Sequence, residues 1–258
     1  ADIHGAVPDV FINADGFKKS ISAPGPGNYL TMAKAVASAA NLLGRDAVRQ
    51  RSFVHAHGSS TPANRVTESE LLDRIAATFA IDSWPVTAVK AFVGHSLASA
   101  SGDQLIAALG SFKYGIIPGI KTIDAVADDV QQQHLSIATE DRQLGNEALD
   151  VCFINSKGFG GNNASALVLA PHVVDKMLRK RHGAAAFDAY CTRREQTRAA
   201  AQEYDQQALQ GQLQIIYNFG NDLIDDKAIE IDSEQLKVPG FAQPLVFKKD
   251  DRYSDMLD

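Results

Sequence analysis

The alternation of short apolar strands with longer helical segments up to Pro171 is the feature that most constrains the fold of this chain. Strands are predicted at residues 10–13, 52–56, 86–89, 151–155 and 164–169. Helices are predicted at about residues 29–43, 66–79 and 102–112. The last of these is expected to bury an apolar stripe of Leu105, Ile106, Leu109 and Phe112. The alternation predicts a layered α/β fold in which helices flank a mixed sheet.

A change of composition at Pro171 predicts two regions. Residues 1–171 form the α/β domain, and residues 172–258 form a C-terminal extension. The extension is expected to be helical over about residues 173–209 and then acidic, with β-leaning pieces at residues 213–219 and 228–231. Its helical part is basic, which suggests docking of an acidic protein. A solvated exposed helix is the simpler interpretation of the same charges.

Composition excludes several classes of function. The 258 residues carry 25 Lys and Arg against 31 Asp and Glu, a net charge of -6, so no nucleic acid partner is predicted. No apolar run is long enough to span a bilayer, so no membrane association is predicted either. Cys152 and Cys191 are too few for a disulfide framework, which favours a reducing compartment, the cytoplasm. The histidines lack metal-ligand spacing, and no nucleotide-binding motif is present.

Three glycine-punctuated motifs follow predicted strands. They are His-Gly-Ser-Ser-Thr-Pro at residues 57–62, Lys-Ala-Phe-Val-Gly-His at residues 90–95, and Asn-Ser-Lys-Gly-Phe-Gly-Gly at residues 155–161. The ends of strands are where α/β sheets build their sites. Each motif alone is weak evidence, because a histidine after a strand is more often structural and a glycine-rich turn is more often only a turn.

In this order and spacing, the motifs resemble the C-terminal half of the β-ketoacyl-[acyl carrier protein] synthases, the condensing enzymes of the thiolase superfamily. The resemblance covers about residues 2–169. It implies a thiolase-like fold and a decarboxylative Claisen condensation of an acyl thioester with malonyl carried on acyl carrier protein, in fatty acid or polyketide biosynthesis. It implies no cofactor, because the substrates are phosphopantetheine thioesters. The implied partners are acyl carrier protein and a second copy of the full-length protein.

The resemblance also implies roles for individual residues. His57 and His95 are similar to the family's two active-site histidines, which hold the malonyl thioester carbonyl as its carboxylate leaves. Lys90 is expected to pair with Glu68 and to give electrostatic support. Phe159 matches the gating phenylalanine, whose backbone N–H completes an oxyanion hole.

Further residues are expected to contact substrate. Thr61 and Ser59 would face the phosphopantetheine arm, and Asn155, Gly158 and Lys157 belong to the turn beside it. Lys157 and Arg65 depart from the family pattern by adding positive charge. They either adapt the cleft to a short or polar acyl primer, or to the pantetheine phosphate, or they point to solvent or a local partner.

The sequence contains no residue that matches the nucleophilic cysteine of this family. The resemblance assigns this nucleophile to a cysteine in an N-terminal half, upstream of Ala1. Cys152 lies in an apolar strand and is expected to be inert, and nothing near Cys191 predicts a lowered thiol pKa. The chain is therefore expected to be part of a longer synthase and inactive alone. Two alternatives are a catalytically silent partner, similar to the chain-length-factor subunits, and a non-enzymatic half-domain that binds carrier protein.

Overall fold

A computed structural model describes residues 1–16, 25–214, 220 and 223–247. The chain divides into two compact units, residues 1–199 and residues 200–258. Most of the β-leaning piece predicted at residues 213–219 and the end of the acidic tail lie outside the described residues.

A six-stranded mixed sheet forms the centre of the first unit. The strands of this unit are β1 Ala6–Ala14, β2 Ser52–His55, β3 Trp84–Thr87, β4 Ile116–Ile117, β5 Leu135–Ile137, β6 Arg142–Gln143, β7 Val151–Gly158 and β8 Asn162–Leu169. The sheet order is β1-β8-β7-β2-β3-β5, while β4 and β6 pair separately. β2 runs parallel to β7 and β3, and β8 is antiparallel to β1 and β7. The predicted mixed sheet is confirmed.

The α-helices among the described residues are α1 Pro26–Leu43, α2 Arg45–Gln50, α3 Pro62–Thr78, α4 Lys90–Val93, α5 Ala100–Tyr114, α6 Pro171–His182 and α7 Ala184–Leu209. Of these, α1, α2, α3 and α5 contact strands of the central sheet. α1 and α3 begin earlier than predicted because Pro26 and Pro62 occupy the first helical position, where proline's missing N–H costs nothing. Among the described residues, no helix is both long enough and apolar enough to cross a bilayer.

The apolar stripe predicted for α5 is partly wrong. Ile106 is 71% exposed, and Leu105 and Leu109 are only partly buried. The buried residues of α5 are Ala100, Gln104, Ala108, Ser111 and Phe112. The polar Gln104 can lie inside because its carboxamide is hydrogen-bonded there.

The predicted strand at residues 86–89 is shifted toward the N-terminus. β3 ends at Thr87, and the chain then forms the single helical turn α4, which begins at Lys90. The predicted hairpin is present and longer than expected, because β7 continues to Gly158 and β8 starts at Asn162. Gly160 and Gly161 take φ values of 72° and 78° in the turn between them, which glycine adopts without steric cost.

The helix predicted over residues 173–209 is interrupted at Gly183. This residue has φ 83° and separates α6 from α7. Val173 and Val174 of α6 are buried, so this helix packs on the core rather than standing free. The second unit contains a small antiparallel sheet of β9 Glu230–Ile231, β10 Gln235–Lys237 and β11 Leu245–Val246. The domain boundary predicted at residue 171 coincides with the first residue of α6 and stays a prediction.

Candidate active site

The three sequence motifs meet at one edge of the central sheet. β2 is flanked by β7 and β3, and all three strands run parallel, so their C-terminal ends lie side by side. His57 follows β2, Lys90 follows β3, and Lys157 lies near the end of β7. This arrangement is the topological reason that residues 100 positions apart in sequence are neighbours.

The rings of His57 and His95 face each other in an edge-to-face arrangement. Their centroids are 5.3 Å apart and their planes are inclined by 77°. His57 is buried, whereas His95 is exposed. A cavity of about 220 Å³ touches both rings and is also lined by Ile12, Leu97 and Ser101. A small polar group can therefore reach both imidazoles.

Backbone hydrogen bonds define the tautomer of both histidines. The backbone N–H of Lys157 donates to Nδ1 of His57 over 3.2 Å, and the backbone N–H of Leu97 donates to Nδ1 of His95 over 3.0 Å. A nitrogen that accepts a hydrogen bond carries no proton, so the proton of each neutral ring lies on Nε2. Both rings then present an N–H donor.

Burial lowers the pKa of His57 to about 4. The carboxylate of Glu68 acts in the opposite direction, while the charges of Lys90, His95 and Lys157 lower the pKa further. His57 is therefore neutral at pH 7. It can act there as a hydrogen-bond donor without carrying a charge.

Glu68 anchors the turn that follows β2. Its buried carboxylate accepts hydrogen bonds from the backbone N–H groups of His57 and Gly58, at 2.7 and 2.9 Å. It also accepts from Nδ2 of Asn64 and of Asn155, at 2.9 and 2.7 Å. Four donors compensate for the desolvation of the buried charge. Glu68 therefore fixes the backbone that carries His57.

Lys90 and Glu68 interact through their charges and not by a direct contact. Among the described residues, Nζ of Lys90 donates instead to the carbonyl oxygen of His57 over 2.7 Å. Burial lowers the pKa of Lys90, while the carboxylates of Glu68 and Asp103 oppose that shift. Glu68 and Lys90 thus hold the N–H and the C=O of the same residue, a contact to the backbone that side-chain motifs cannot reveal.

The two residues that depart from the family pattern both have local partners. The buried ammonium of Lys157 donates to Oδ1 of Asn64 over 3.1 Å and to Oγ1 of Thr67 over 3.3 Å. Arg65 forms a bidentate pair with Asp129, at 2.7 and 2.9 Å. This geometry favours the local-partner interpretation over a cationic cleft. The contribution of Lys157 to His57 is its backbone N–H.

The other predicted site residues surround the histidines. Phe159 is 80% exposed at the start of the β7–β8 turn, next to Gly158, which lines the smaller cavity. Ser59 and Thr61 line a second, larger cavity of about 620 Å³, which His95 also lines. Asn155 is fully buried and contacts Glu68 rather than the cavity between the rings.

Two buried polar residues were missed by the sequence analysis. Gln104 donates from Nε2 toward the carbonyl oxygens of His55, Ala56 and Asn155, at 2.8 to 3.1 Å. Asn28 exchanges hydrogen bonds with Asn155, at 2.6 and 3.2 Å. The available signal was a polar residue on an otherwise apolar helix face, which is ambiguous without the fold.

The two cysteines lie away from the histidines' smaller cavity. Burial raises the pKa of the Cys152 thiol far above its usual range, which agrees with the expected inertness. Cys191 lies on α7, where the guanidinium of Arg194 approaches its sulfur to 3.7 Å. Within the described part of the chain, no group of three His, Cys, Asp or Glu side chains is arranged to hold a metal ion.

Comparisons with known proteins match these observations. Residues 4–124 match the family model described as "Beta-ketoacyl synthase, C-terminal domain". The chain is 75% identical over its whole length to the β-ketoacyl-[acyl-carrier-protein] synthase FabY of Pseudomonas aeruginosa, and it spans 40% of that relative. The crystal structure of the noncanonical ketosynthase FabY from P. aeruginosa superposes on the whole chain with a TM-score of 0.89, again over 40% of the solved chain.

A solved structure of lower sequence identity has a similar fold. The ketosynthase from module 1 of the bacillaene synthase of Bacillus amyloliquefaciens is 20% identical and has a TM-score of 0.57 over 65% of this chain and 32% of its own. The fold is therefore of the thiolase type. The family match, the identity to FabY and the meeting of the three motifs agree: residues 4–124 match the C-terminal domain of the β-ketoacyl synthases, and the whole chain is similar to part of one such synthase.

Proposed function

We propose that this chain is the C-terminal part of a β-ketoacyl-[acyl carrier protein] synthase, which condenses an acyl thioester with malonyl carried on acyl carrier protein in fatty acid biosynthesis. One observation carries the proposal. The rings of His57 and His95 stand 5.3 Å apart, and a backbone N–H occupies Nδ1 of each. Two Nε2–H donors therefore remain for one substrate oxygen.

The condensation requires stabilisation of a negative oxygen. When the bond from the malonyl α-carbon to its carboxylate breaks, carbon dioxide leaves and the electron pair forms an enolate of the thioester. The enolate carbon then attacks the carbonyl of the acyl thioester, the carbon–sulfur bond breaks, and the thiolate that carried the acyl group leaves. Donors already in place stabilise the enolate oxygen, and they act most strongly where water is excluded. His57 and His95 are assigned this task.

The remaining predicted residues support the same reaction. Glu68 and Lys90 are positioning residues, because they hold the backbone N–H and C=O of His57. The backbone N–H of Phe159 is assigned to the oxyanion of the acyl thioester. Ser59 and Thr61 are assigned to the phosphopantetheine arm, since they line the cavity that reaches His95.

The acyl group needs a thiolate that the described cysteines do not supply. Cys152 is completely buried, and Cys191 is on the helical extension. We assign the nucleophile to an N-terminal half of the longer protein, in line with the 40% of FabY that this chain spans. The chain alone would then be inactive. The proposed partners are that N-terminal half, acyl carrier protein and a second copy of the full-length protein.

The proposed reaction needs no cofactor beyond the phosphopantetheine of its substrates. Two free cysteines suit a reducing compartment, and the proposed location is the cytoplasm.

The proposal is tested by malonyl decarboxylation in the longer protein that contains this chain. His57→Ala and His95→Ala should each lower the rate of carbon dioxide release from malonyl-[acyl carrier protein] by about 100-fold or more, the usual loss for one donor to a developing oxyanion. His182→Ala is the control, because His182 is exposed in the last turn of α6. A silent partner or a binding half-domain would release no carbon dioxide before any substitution, and that result would refute the proposal.

A further inference from the structure

The side chain of Lys157 is a buried cation beside the proposed reaction centre. It belongs to β7 and is only 8% exposed. Its ammonium donates to Oδ1 of Asn64 over 3.1 Å and to Oγ1 of Thr67 over 3.3 Å, in the first two turns of α3. Taking a charge out of water is unfavourable, so a buried ammonium requires compensating hydrogen bonds. These bonds connect the end of β7 to the beginning of α3.

The carboxamide of Asn64 joins this ammonium to the buried carboxylate of Glu68. Its Oδ1 accepts from Lys157, while its Nδ2 donates to Oε2 of Glu68 over 2.9 Å. Only one orientation of the carboxamide suits both charges, because its oxygen must face the cation and its nitrogen must face the anion. Asn64 is 1% exposed, so water does not compete for these bonds. The cation, the carboxamide and the anion therefore form one continuous network.

Lys157 is connected to His57 by two routes. The direct route is the hydrogen bond from the backbone N–H of Lys157 to Nδ1 of the ring. The indirect route begins at the ammonium and passes through Asn64 to Glu68. The carboxylate of Glu68 then accepts from the backbone N–H of His57. Because the two routes end on the ring and on the backbone of the same histidine, a change at the ammonium affects the turn that carries the ring.

The charge of Lys157 also opposes the effect of Glu68 on the ring. Burial does most to lower the pKa of His57, and the carboxylate of Glu68 acts against it. The charges that lower this pKa further are those of Lys90, His95 and Lys157, so the ring faces charged groups from α3, from α4, from the segment after α4 and from β7. A protonated ring would carry a hydrogen on Nδ1, which would then oppose the backbone N–H of Lys157 instead of accepting from it. The neutral ring with its hydrogen on Nε2 is therefore the form that fits this site.

We propose that Lys157 is a positioning residue whose ammonium, acting through Asn64 and Glu68, holds His57 in the neutral tautomer that donates from Nε2. The proposal rests on the proposed function, because this donor is one of the two assigned to the enolate oxygen. It gives a role in the reaction to the side chain of a residue at which the chain departs from the family pattern. Lys157 acts through His57 and is assigned no contact of its own with the enolate.

The first test follows the ring nitrogens of His57 by ¹⁵N NMR in the 258-residue chain, with His57→Ala to identify the signals. Lys157→Met removes the charge and keeps most of the length of the side chain, while Lys157→Gln removes the charge and keeps a donor for Asn64. Both should raise the pKa of His57 by about 1, as expected for one charge lost near a partly buried ring. Lys157→Arg keeps the charge and should leave this pKa near its unmodified value. Lys176→Met is the control, because it removes the same charge from an exposed position of α6.

The second test measures how carbon dioxide release from malonyl-[acyl carrier protein] by the longer protein depends on pH. The acid limb of the rate profile should move to higher pH in Lys157→Met and Lys157→Gln, and Lys157→Arg should restore it. At the pH where the unmodified protein keeps half of its maximal rate, the two uncharged variants should keep about a tenth of theirs, which is the loss expected for a pKa higher by about 1. A purely structural role of Lys157 would lower the rate at all pH values alike and would not move the limb.

Three results would overturn the inference. They are an unchanged pKa of His57 in the uncharged variants, an equal change of this pKa in Lys176→Met, and an acid limb that stays in place. Either uncharged variant is sufficient for the NMR test, so the test stays decisive if one of them does not fold. A longer protein that needs His57 and His95 for carbon dioxide release, but whose acid limb ignores Lys157, would keep the proposed function and refute only this inference. If the longer protein releases no carbon dioxide, the proposed function fails, and the NMR test still decides whether Lys157 holds His57 neutral.

Discussion

Gln104 joins the two strands that carry the candidate site. Its carboxamide nitrogen lies within hydrogen-bond distance of three backbone carbonyl oxygens near the ends of β2 and β7, and its Oε1 accepts from Ser156. The side chain is completely buried. An uncharged donor is required here, because a carboxylate would face the same carbonyl oxygens without a proton to share.

Replacing Gln104 tests this requirement. Gln104→Glu should lower the free energy of unfolding by about 3 kcal/mol at pH 7, since a charge would be buried against acceptors. The deficit relative to the unmodified chain should shrink at pH 5, where the buried carboxyl gains a proton and becomes a donor. Gln104→Leu is the control, and its deficit should not vary with pH. Urea unfolding at both pH values measures the difference, and equal deficits for Gln104→Glu would contradict the account.

His55 is a second buried residue, and its ionisation should make the stability of the chain depend on pH. Burial lowers its pKa to about 4, and the charge of Lys90 acts in the same direction. Neither ring nitrogen has a hydrogen-bond partner among the described residues, and the ring packs edge-on against Phe53 at 5.6 Å. The folded state therefore holds His55 in its neutral form.

The stability of the chain should fall as pH falls from about 6.5 to about 4. Over this window the unfolded state binds a proton at His55 that the folded state excludes, so acid favours unfolding. The loss from this residue should reach about 3 kcal/mol at pH 4, and His57 adds to it. His55→Phe should flatten the profile of unfolding free energy against pH, whereas His182→Phe should leave it unchanged. A His55→Phe profile as steep as that of the unmodified chain would show that His55 does not titrate as described.

At the scale of the elements, Asp150 connects three parts of the first unit. It precedes β7, accepts two hydrogen bonds from the guanidinium of Arg51 before β2, and contacts Nε2 of His172 on α6 over 2.8 Å. Burial would raise the pKa of Asp150, yet Arg51 and His172 hold it below its usual range. The carboxylate of Asp150 therefore connects the beginnings of β7 and β2 with helix α6.

Removing the carboxylate of Asp150 should lower the free energy of unfolding more than removing an exposed carboxylate does. Asp150→Ala should lower the free energy of unfolding by about 2 kcal/mol, because Arg51 and His172 lose a charge-assisted partner in a part-buried setting. Asp46→Ala breaks the looser contact with Arg49, at 3.8 Å, and should change stability by less than about 0.5 kcal/mol. Chemical unfolding of both variants gives the comparison, and equal effects would mean that Asp150 does not join the elements as argued.

Helices and strands were predictable from the sequence where the spacing of apolar residues agreed with the positions of glycine and proline. The mixed sheet, the hairpin and the helices α1, α3 and α5 follow from local patterns, because strand and helix differ in the spacing of apolar residues. Their ends and buried faces depend on tertiary contacts. The stripe predicted to include Ile106 illustrates this. Gln104 is buried because it donates to the carbonyl oxygens of His55 in β2 and Asn155 in β7, which are distant from α5 in sequence.

The candidate site was predictable in the same uneven way. The motifs indicated that His57 follows one strand and that Lys90 and His95 follow the next, and parallel strands bring the segments after their ends together. The partners of those side chains were not predictable, because Glu68, Lys90 and Lys157 act on His57 through its backbone or through their own. Because nearly every residue has the same backbone N–H and C=O groups, the sequence does not indicate which of them form these hydrogen bonds.

At the scale of the whole first unit, one group of exposed apolar side chains lies on β1, on α5, within residues 92–97 and in the β7–β8 turn, while others such as Leu30, Leu42 and Leu144 are exposed elsewhere. This group consists of Ile12, Phe92, Val93, Leu97, Ile106 and Phe159. Leu97 also adopts φ 60°, which is uncommon for such a residue. A contiguous apolar surface of several hundred Å² marks an interaction site. We propose that the N-terminal half of the longer protein covers these side chains.

Ile106 gives a test of that occupant. Isoleucine and serine have similar helix propensities, so Ile106→Ser should change the unfolding free energy of the 258-residue chain by less than about 0.5 kcal/mol at this exposed position. In the longer protein the same substitution should cost about 2 kcal/mol, because the side chain would be buried against the N-terminal half. Leu42→Ser on α1 is the control and should have the same effect in both chains. Equal effects of Ile106→Ser in the two chains would show that the N-terminal half does not cover this surface, and the partner would then have to be sought elsewhere.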